Sequence, residues 1–229
     1  MEHNIIVSME NVSKSFGSEC VLRNVSCTFE AGKIHGIIGK NGSGKTILMK
    51  LICGLTLPTS GEVRVRGQRI GKDVDVPPDI GALIDAPGFL SYHSGRKNLR
   101  YLAQLNRKIN DDGVRAAMER VGLDYTSKKL VGKYSLGMRQ RLGIAQAIME
   151  NPEILLLDEP MNGMDKQGSE NIRQLILELR AEGKTIFLAS HIPQDIDILC
   201  DTVHEIDAGC LMVLSTFMRK NISVSYEVG

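Results

Sequence analysis

Residues 39–46, with the sequence GKNGSGKT, have the spacing G-x-x-x-x-G-K-[ST], in which each residue type has a task in phosphate binding. The glycines let backbone N–H groups turn inward around phosphate oxygens, and the helix that follows directs its positive end toward them. Lys45 is expected to reach the β- and γ-phosphates of a nucleoside triphosphate, and the hydroxyl of Thr46 is expected to bind Mg²⁺. The predicted phosphate contacts are Gly39, Asn41, Gly42, Ser43, Gly44, Lys45 and Thr46.

The surroundings of this phosphate loop favour that interpretation over a chance glycine-rich turn. An apolar strand predicted at residues 33–38 leads into the loop, and a helical run at residues 47–52 leaves it. The motif requires such a strand–loop–helix context, because the loop and the helix N-terminus must face one ligand together.

An acidic pair, Asp158 and Glu159, follows a second apolar strand predicted at residues 153–157. Ligands of open α/β sheets collect at the carboxyl ends of the strands, where these acids could meet the phosphate loop. Asp158 is expected to hold Mg²⁺ through its water shell. Glu159 is expected to polarise the attacking water, because γ-phosphoryl transfer needs an oriented, in-line nucleophile. The alternative is a pair of solvated carboxylates that cap the next turn.

A histidine, His191, follows a third apolar run, predicted as a strand at residues 185–189. Taken alone, it could be an ordinary surface or core histidine. Its place after a strand, parallel to that of Asp158 and Glu159, favours a contact with the γ-phosphate.

Composition and charge indicate a globular protein without a nucleic-acid-binding surface. Of the 229 residues, 42% are hydrophobic and 24% are charged, and the formal net charge is +1. Lysines and arginines are scattered along the sequence in nothing longer than pairs, so no nucleic acid is expected as a partner. No signal peptide is evident, and no apolar run approaches the roughly 20 residues of a membrane helix. If the protein works at a membrane, another chain must supply the membrane path.

The pattern of apolar runs predicts an α/β fold with a mainly parallel sheet. Besides the three strands above, strands are predicted at residues 4–9 and 202–206, and a one-faced helix at residues 169–182. The chain before about residue 35 is typical of β-structure with glycine turns. From residue 89 to residue 149 only helical spacing is found, which indicates a helical insert at residues 86–149 between two parts of one core, residues 1–85 and 150–229.

These features stand in a specific order along the chain. Residues 134–141, with the sequence YSLGMRQR, precede the acidic pair and resemble a signature segment usually written L-S-G-G-Q. With the phosphate loop, the acids, the run Asn162-Gly163-Met164-Asp165 and His191, the sequence resembles the ABC ATPase (nucleotide-binding domain) family over nearly its whole length. The resemblance implies a single P-loop NTPase domain that has an N-terminal antiparallel β subdomain and an inserted helical subdomain.

The resemblance also implies roles for further residues. Phe16 matches the aromatic residue that stacks on adenine, although it could instead be a core phenylalanine. Ser135 and Gly137 match signature positions that bind the γ-phosphate of ATP held by a second ATPase subunit, as expected of residues at a helix N-terminus. Asp165 matches an acid at the interface between the subunits. Glu159 and His191 match the catalytic glutamate and the switch histidine, and Lys45 completes the catalytic set.

Three departures from the family pattern are informative. Ile47 replaces a second hydroxyl residue after the phosphate loop, so one α-phosphate contact is expected to be lost at that position. Leu136 and Met138 alter the signature segment. Asp85 stands where the family has Gln, and it is expected to be a ligand of Mg²⁺, or else to cap the turn at residues 86–88. The surroundings of Asp85 resemble the branch that exports bacitracin and lantibiotic-type peptides.

The expected function is therefore that of a Mg²⁺-dependent ATPase subunit that drives a separate integral membrane transport subunit. Its expected place is the cytoplasmic face of a bacterial membrane. A soluble ABC ATPase in a non-transport complex is the alternative, although 229 residues leave no room for a long coiled coil or a second ATPase unit. A non-catalytic scaffold is opposed by the intact set of Lys45, Asp158, Glu159 and His191.

Overall fold

The computed structural model describes residues 4–85 and 88–216. In this part of the chain the strands are β1 (Ile5–Phe16), β2 (Glu19–Glu30), β3 (Ile34–Ile38), β4 (Ser60–Val65), β5 (Gln68–Arg69), β6 (Ile80–Leu83), β7 (Ile154–Asp158), β8 (Thr185–Ala189), β9 (Thr202–Asp207) and β10 (Cys210–Thr216). The helices are α1 (Lys45–Ile52), α2 (Gly95–Asn106), α3 (Asp111–Arg120), α4 (Leu136–Ile148), α5 (Lys166–Ala181) and α6 (Pro193–Leu199).

The central sheet has six strands in the order β10-β9-β3-β8-β7-β6. All neighbours pair in parallel except β10, which is antiparallel to β9. Both faces of this sheet are covered. In β7, Ile154 and Leu156 pack into a core with α1, whereas Leu155 and Leu157 pack into a second core with α4 and α5. Burial on both faces explains why the central strands are continuous apolar runs, and it confirms the predicted mainly parallel sheet.

A second, antiparallel sheet, in the order β2-β1-β4-β5, covers the α1 side of the central sheet. Alternate side chains such as Val7, Met9 and Val63 point into the core that they share with Leu48 of α1 and Phe187 of β8. The predicted N-terminal β-structure is confirmed. The strand predicted at residues 4–9 is too short. Strand β1 continues to Phe16, because its polar second half also pairs with β2.

Between residues 88 and 149 the structure contains α2, α3, a 3₁₀ turn at Val131–Lys133 and α4, with no strand beyond one isolated bridge, Ser94 to Leu130. This confirms the predicted helical segment. Each α-helix starts at a side-chain cap, from Ser94, Asn110 and Ser135 respectively, which satisfies backbone N–H groups that lack partners inside the helix.

Strand β6 was not predicted from the sequence, because close packing against α4 places small residues in this strand. Gly81 is in this strand, and a methyl group there would lie 1.9 Å from the backbone oxygen of Ala147 in α4. The helix therefore approaches the sheet where the sequence has small residues instead of branched ones. In the described residues, no helix is both long and apolar enough to cross a membrane.

Candidate functional site

The phosphate loop connects β3 to α1 in a conformation that only glycine adopts easily. Gly39 has φ of 143° and Gly44 has φ of 113°, both in the left-handed region. A methyl group at Gly39 would lie 2.4 Å from the backbone oxygen of Ile206, and one at Gly44 would lie 2.9 Å from Cδ2 of Leu22. The glycines at these positions are therefore required both by the backbone turn and by the space around it.

The loop presents unused donors to its concave side. Helix α1 starts at Lys45 without a side-chain cap and without an acidic residue in its first turn, so its positive end is not neutralised. Within the described residues, the buried hydroxyl of Ser43 has no hydrogen-bond partner. The ammonium of Lys45 donates to the carbonyl oxygens of Gly39 at 2.7 Å and Lys40 at 3.0 Å, so it lies across the loop. Together these donors suit an anionic, phosphate-like ligand.

Asp158, the last residue of β7, lies beside the start of α1. The hydroxyl of Thr46 donates to Oδ2 of Asp158 at 2.6 Å. Burial raises the pKa of Asp158, and the charges of Glu159 and Asp85 raise it further, against the opposing effects of Thr46 and Lys45. A half-buried carboxylate among other carboxylates suits a divalent cation, which would relieve the repulsion.

A hydroxyl and a carboxylate at this spacing fit Mg²⁺ in particular. In the described part of the chain no three His, Cys, Asp or Glu residues converge into a self-sufficient metal site. Mg²⁺ is commonly held by one or two protein oxygens, with phosphate oxygens and water supplying the rest. Thr46 and Asp158 are therefore placed where they could hold the metal, and the predicted role of these residues as ligands stays a prediction.

Glu159 is held at three points just beyond β7. Its backbone has φ of 50°, an uncommon conformation for a residue other than glycine. Its N–H donates to Ala189 of β8 at 3.0 Å, and its carbonyl accepts from the side-chain amide of Gln140 at 2.8 Å. Its carboxylate Oε2 lies 2.8 Å from Nδ1 of His191. The predicted general base and the predicted switch histidine are thus in direct contact.

One cavity of about 620 Å³ joins most of the predicted site residues. Its lining includes Phe16, Asn41, Gly42, Gly44, Lys45, Thr46, Ile47, Asp85, Asp158 and Glu159. Phe16 is 50% exposed, so the alternative of a core phenylalanine is wrong, and its ring is open to the cavity. The lining thus combines an aromatic ring with phosphate donors, a metal-suited carboxylate and the predicted general base.

Asp85 lies two residues after β6, with φ of 58° and a side chain that is 57% exposed. Its carboxylate Oδ2 is 2.5 Å from the ammonium of Lys50, on α1. The predicted role as a metal ligand stays a prediction, and the sequence did not reveal this competing partner. Part of the alternative turn cap lies outside the described residues, because residues 86 and 87 are not described.

Ser135 and Gly137 stand at the start of α4 and do not line the cavity around their own phosphate loop. The Ser135 hydroxyl accepts from the N–H of Met138 at 3.2 Å. A methyl group at Gly137 would lie 2.9 Å from the carbonyl oxygen of Gly163, which leads to Asp165. The Asp165 carboxylate caps α5 by accepting from Gly168 at 2.7 Å. Ser135 and Asp165 are both exposed, as residues that serve a second subunit must be.

Sequence reasoning missed two groups that position the site. Gln140 is buried on the apolar face of α4 and connects the signature segment to the backbone of Glu159. A buried network joins Ser190, Asp195 and Arg173. Ser190 donates to Asp195 at 2.8 Å, and Arg173 of α5 donates to the same carboxylate at 2.8 Å. In both cases, a polar residue on an otherwise apolar helix face could have indicated the group from the sequence.

The sequence profile of a family described as ABC transporter matches residues 22–162, which is more than half of the chain. The chain belongs to the ABC transporter family. It is 40% identical over 209 residues to the bacitracin transport ATP-binding protein BcrA of Enterococcus faecalis, covering 90% of this chain and 68% of BcrA. It is 33% identical over 208 residues to the lantibiotic transport ATP-binding protein SrtF of Streptococcus pyogenes, covering 91% of this chain and 90% of SrtF.

A solved structure titled as the dimeric, post-hydrolysis ATP-binding cassette MJ0796 bound to ADP and Pi aligns with a TM-score of 0.81 at 23% identity, over 93% of this chain and 100% of that one. This likeness confirms the predicted P-loop NTPase fold. The two relatives confirm the predicted resemblance to the bacitracin and lantibiotic branch. This ABC protein is accordingly an ATP-binding protein and an ATPase.

Proposed function

We propose that this ABC protein powers a membrane transporter by Mg²⁺-dependent ATP hydrolysis, at the cytoplasmic face of a bacterial membrane. The observation that carries the catalytic part is the cavity that Thr46, Asp158 and Glu159 line beside the phosphate loop, with His191 hydrogen-bonded to Glu159. The division of the chain that we propose is one ABC ATPase domain, with a core of residues 1–85 and 150–229 and a helical subdomain of residues 86–149.

In the proposed mechanism each residue acts on a different part of ATP. Phe16 stacks on the adenine, and the loop residues with Lys45 bind the phosphates. Thr46 and Asp158 would hold Mg²⁺, which would supply positive charge to the phosphate oxygens. Glu159 accepts a proton from the attacking water, and His191 orients the Glu159 carboxylate through the 2.8 Å contact while its exposed ring reaches the γ-phosphate.

The proposed active unit is a pair of ATPase subunits that sandwich two ATP molecules head to tail. Support comes from the exposed positions of Ser135 and Asp165, neither of which lines the cavity of its own subunit. The Ser135 hydroxyl engages only the N–H of Met138, so the N–H groups of Leu136 and Gly137 at the start of α4 suit a γ-phosphate that the second subunit presents. The pair can consist of two copies of this chain or of two different ATPase chains.

A groove beside the nucleotide cavity suits the membrane subunit. It has a volume of about 410 Å³ and is bordered by apolar residues of β6, of α2 and of the segment between them, including Phe89, Leu90, Tyr101, Leu102 and Leu105. We propose that a short cytoplasmic helix of the transport subunit docks here, since an amphipathic helix binds through such apolar grooves. The proposed cargo is a peptide antibiotic, by analogy with the names of BcrA and SrtF, whose export would give resistance or immunity.

A photocrosslinker placed at Leu90 in whole membranes tests the transporter function. Capture of a polytopic membrane protein is expected, with no such capture from Leu55, an exposed leucine outside the groove. ATPase activity of the captured complex should rise with bacitracin or a lantibiotic and be at least ~10²-fold lower in Glu159→Gln. Capture of soluble proteins alone would favour the alternative, a soluble ABC ATPase in a non-transport complex.

A further inference from the structure

The positive charge of this chain is concentrated in its helical segment. Residues 88–149 contain twelve lysines and arginines against four acidic residues, whereas the rest of the chain contains sixteen against twenty-three. The net charge of the whole chain is therefore near zero because a strongly basic segment is balanced by an acidic core. The scattered spacing in the sequence did not indicate this, because the asymmetry appears only when the charges are counted by structural segment.

Backbone pairing gathers four of these lysines on one surface. The N–H of Gly132 donates to Ser91 and the N–H of Val131 donates to His93, each at 2.9 Å. Ser94, which caps α2, forms a bridge with Leu130. Residues 128–133 therefore lie alongside residues 91–97. We name the resulting surface the basic face and define it by the exposed residues Lys97, Lys128, Lys129 and Lys133.

The lysines of the basic face have no acidic partner among the described residues, in contrast to other cations of the same segment. Arg96 and Arg100 pair with Asp111, and Arg120 pairs with Glu182. No such ion pair is found within residues 4–85 and 88–216 for any of the four lysines. Their charge is therefore not neutralised by an acidic residue of the described part of the chain.

The basic face borders the groove proposed for the membrane subunit. The ammonium of Lys97 lies 5.7 Å from the ring centre of Tyr101, which lines that groove. Tyr92, 86% exposed, projects from the neighbouring segment. A tyrosine beside lysines is the combination found at membrane surfaces, where the aromatic ring sits among headgroups and the cations meet anionic lipid.

We infer that the basic face binds anionic phospholipid headgroups of the membrane that holds the transport subunit. This inference rests on the proposed membrane location. At that location the basic face could meet either the cytoplasmic loops of the transport subunit or the lipid headgroups, and charge decides between these two surfaces. Cytoplasmic loops of membrane proteins carry an excess of lysine and arginine, so they would repel the basic face. The cytoplasmic leaflet carries negative charge and attracts lysines within a Debye length.

Vesicle flotation with the whole chain, in the absence of any transport subunit, tests this inference. The probes are vesicles of phosphatidylglycerol and phosphatidylcholine in equal parts, and vesicles of phosphatidylcholine alone. Each lysine near an anionic surface contributes roughly a fivefold factor to the partition constant, so Lys97→Gln/Lys128→Gln/Lys129→Gln should lower it roughly a hundredfold. The matched control, Arg23→Gln/Lys72→Gln/Arg107→Gln, removes the same charge from exposed positions outside the basic face and should change it less than tenfold.

Salt provides a measurement that needs no variant. Binding of the unmodified chain to anionic vesicles should weaken steeply with ionic strength, and binding to neutral vesicles should be slight at all ionic strengths. Equal binding to both kinds of vesicle, or equal loss in the two triple variants, would overturn the inference. Binding only to vesicles that contain the transport subunit would also overturn it, because the basic face would then contact protein, while the proposed transport function would stand.

Discussion

Nδ1 of His191 lies 2.8 Å from Oε2 of Glu159, so the two residues that follow neighbouring parallel strands form one hydrogen-bonded pair. Glu159 is the general base in the proposed mechanism, and Glu159→Gln should lower kcat at least ~10²-fold, the scale of general-base loss. MgATP binding should persist, because the amide preserves the size of the side chain and its contact with His191. Single-turnover hydrolysis and nucleotide binding measure these two effects separately.

The same variant should accumulate as an ATP-bound dimer, since dissociation in the proposed cycle follows hydrolysis. Light scattering with and without MgATP measures this. Lys45→Ala is the matched control, because it should remove phosphate binding and leave a monomer under both conditions. Turnover near that of the unmodified chain in Glu159→Gln would remove Glu159 from its assigned role.

Complementation between two inactive variants tests the composite site. Ser135→Arg should block the γ-phosphate held by the second subunit, and Lys45→Ala should disable the phosphate loop of its own subunit. Each variant alone should lack ATPase activity. A mixture should regain up to about a quarter of the activity of the unmodified dimer, because half of the dimers are mixed and each has one competent site. Absence of activity, with mixed dimers shown to form, contradicts the sandwich arrangement.

Much of the site was predictable from the sequence because phosphate chemistry restricts residue types. Strands β3, β7 and β8 were predicted to within one residue, since burial on both faces makes them continuous apolar runs. Strand β6 was missed because Gly81 replaces a branched residue where α4 packs closely. The contact of Lys50 with Asp85 depends on how α1 lies against β6, which residue spacing does not specify.

Two buried histidines, His35 and His204, should make the stability of the fold sensitive to mild acid. Nε2 of His35 lies 2.8 Å from the carbonyl of Glu30 and must carry a proton, so Nδ1 accepts from Thr202 at 2.7 Å. Thr202 in turn accepts from Nε2 of His204 at 3.2 Å. This chain of hydrogen bonds fits two neutral rings. Burial lowers the pKa of both histidines to about 4.

The unfolded chain binds protons on these histidines near pH 6.5, whereas the folded chain does not until about pH 4. Stability should therefore fall as the pH drops between these values. From pH 7.5 to 5.5 the loss should be roughly 1–1.5 kcal/mol per histidine, measured by urea unfolding. His204→Phe should remove about half of this pH dependence, whatever its effect at neutral pH. An unchanged slope in the variant would contradict the assignment.

Removing one member of the buried pair Arg173 and Asp195 should lower the free energy of unfolding strongly. Replacing both members together with apolar residues should change it little. Asp195 is fully buried, and its carboxylate binds both Arg173 and the hydroxyl of Ser190. Asp195→Leu should cost about 3–5 kcal/mol, because it leaves the guanidinium without its buried partner. Arg173→Met/Asp195→Leu should regain most of that loss. Urea unfolding of both variants measures the difference, and equal destabilisation by the two would contradict a buried ion pair.

The Mg²⁺ dependence of ATPase activity distinguishes the contact of Asp85 with Lys50 from its predicted contact with Mg²⁺. The carboxylate lines the nucleotide cavity with Thr46 and Asp158, and it also lies 2.5 Å from the Lys50 ammonium. An ionised aspartate is only an acceptor and attracts a hard cation, so Asp85→Ala should raise the Mg²⁺ concentration for half-maximal ATPase activity. Binding of a fluorescent ATP analogue without metal should not weaken, because one negative charge near the phosphates is removed.

Lys50→Met separates the two partners of this carboxylate. If Asp85 serves the metal, removal of the competing ammonium should lower the Mg²⁺ requirement, the opposite of the effect of Asp85→Ala. If Asp85 serves only to hold α1 against the end of β6, both variants should leave the Mg²⁺ requirement unchanged and lower stability by at most about 1 kcal/mol, as expected for an exposed ion pair. Opposite shifts in the two variants support metal coordination by Asp85, and parallel or absent shifts contradict it.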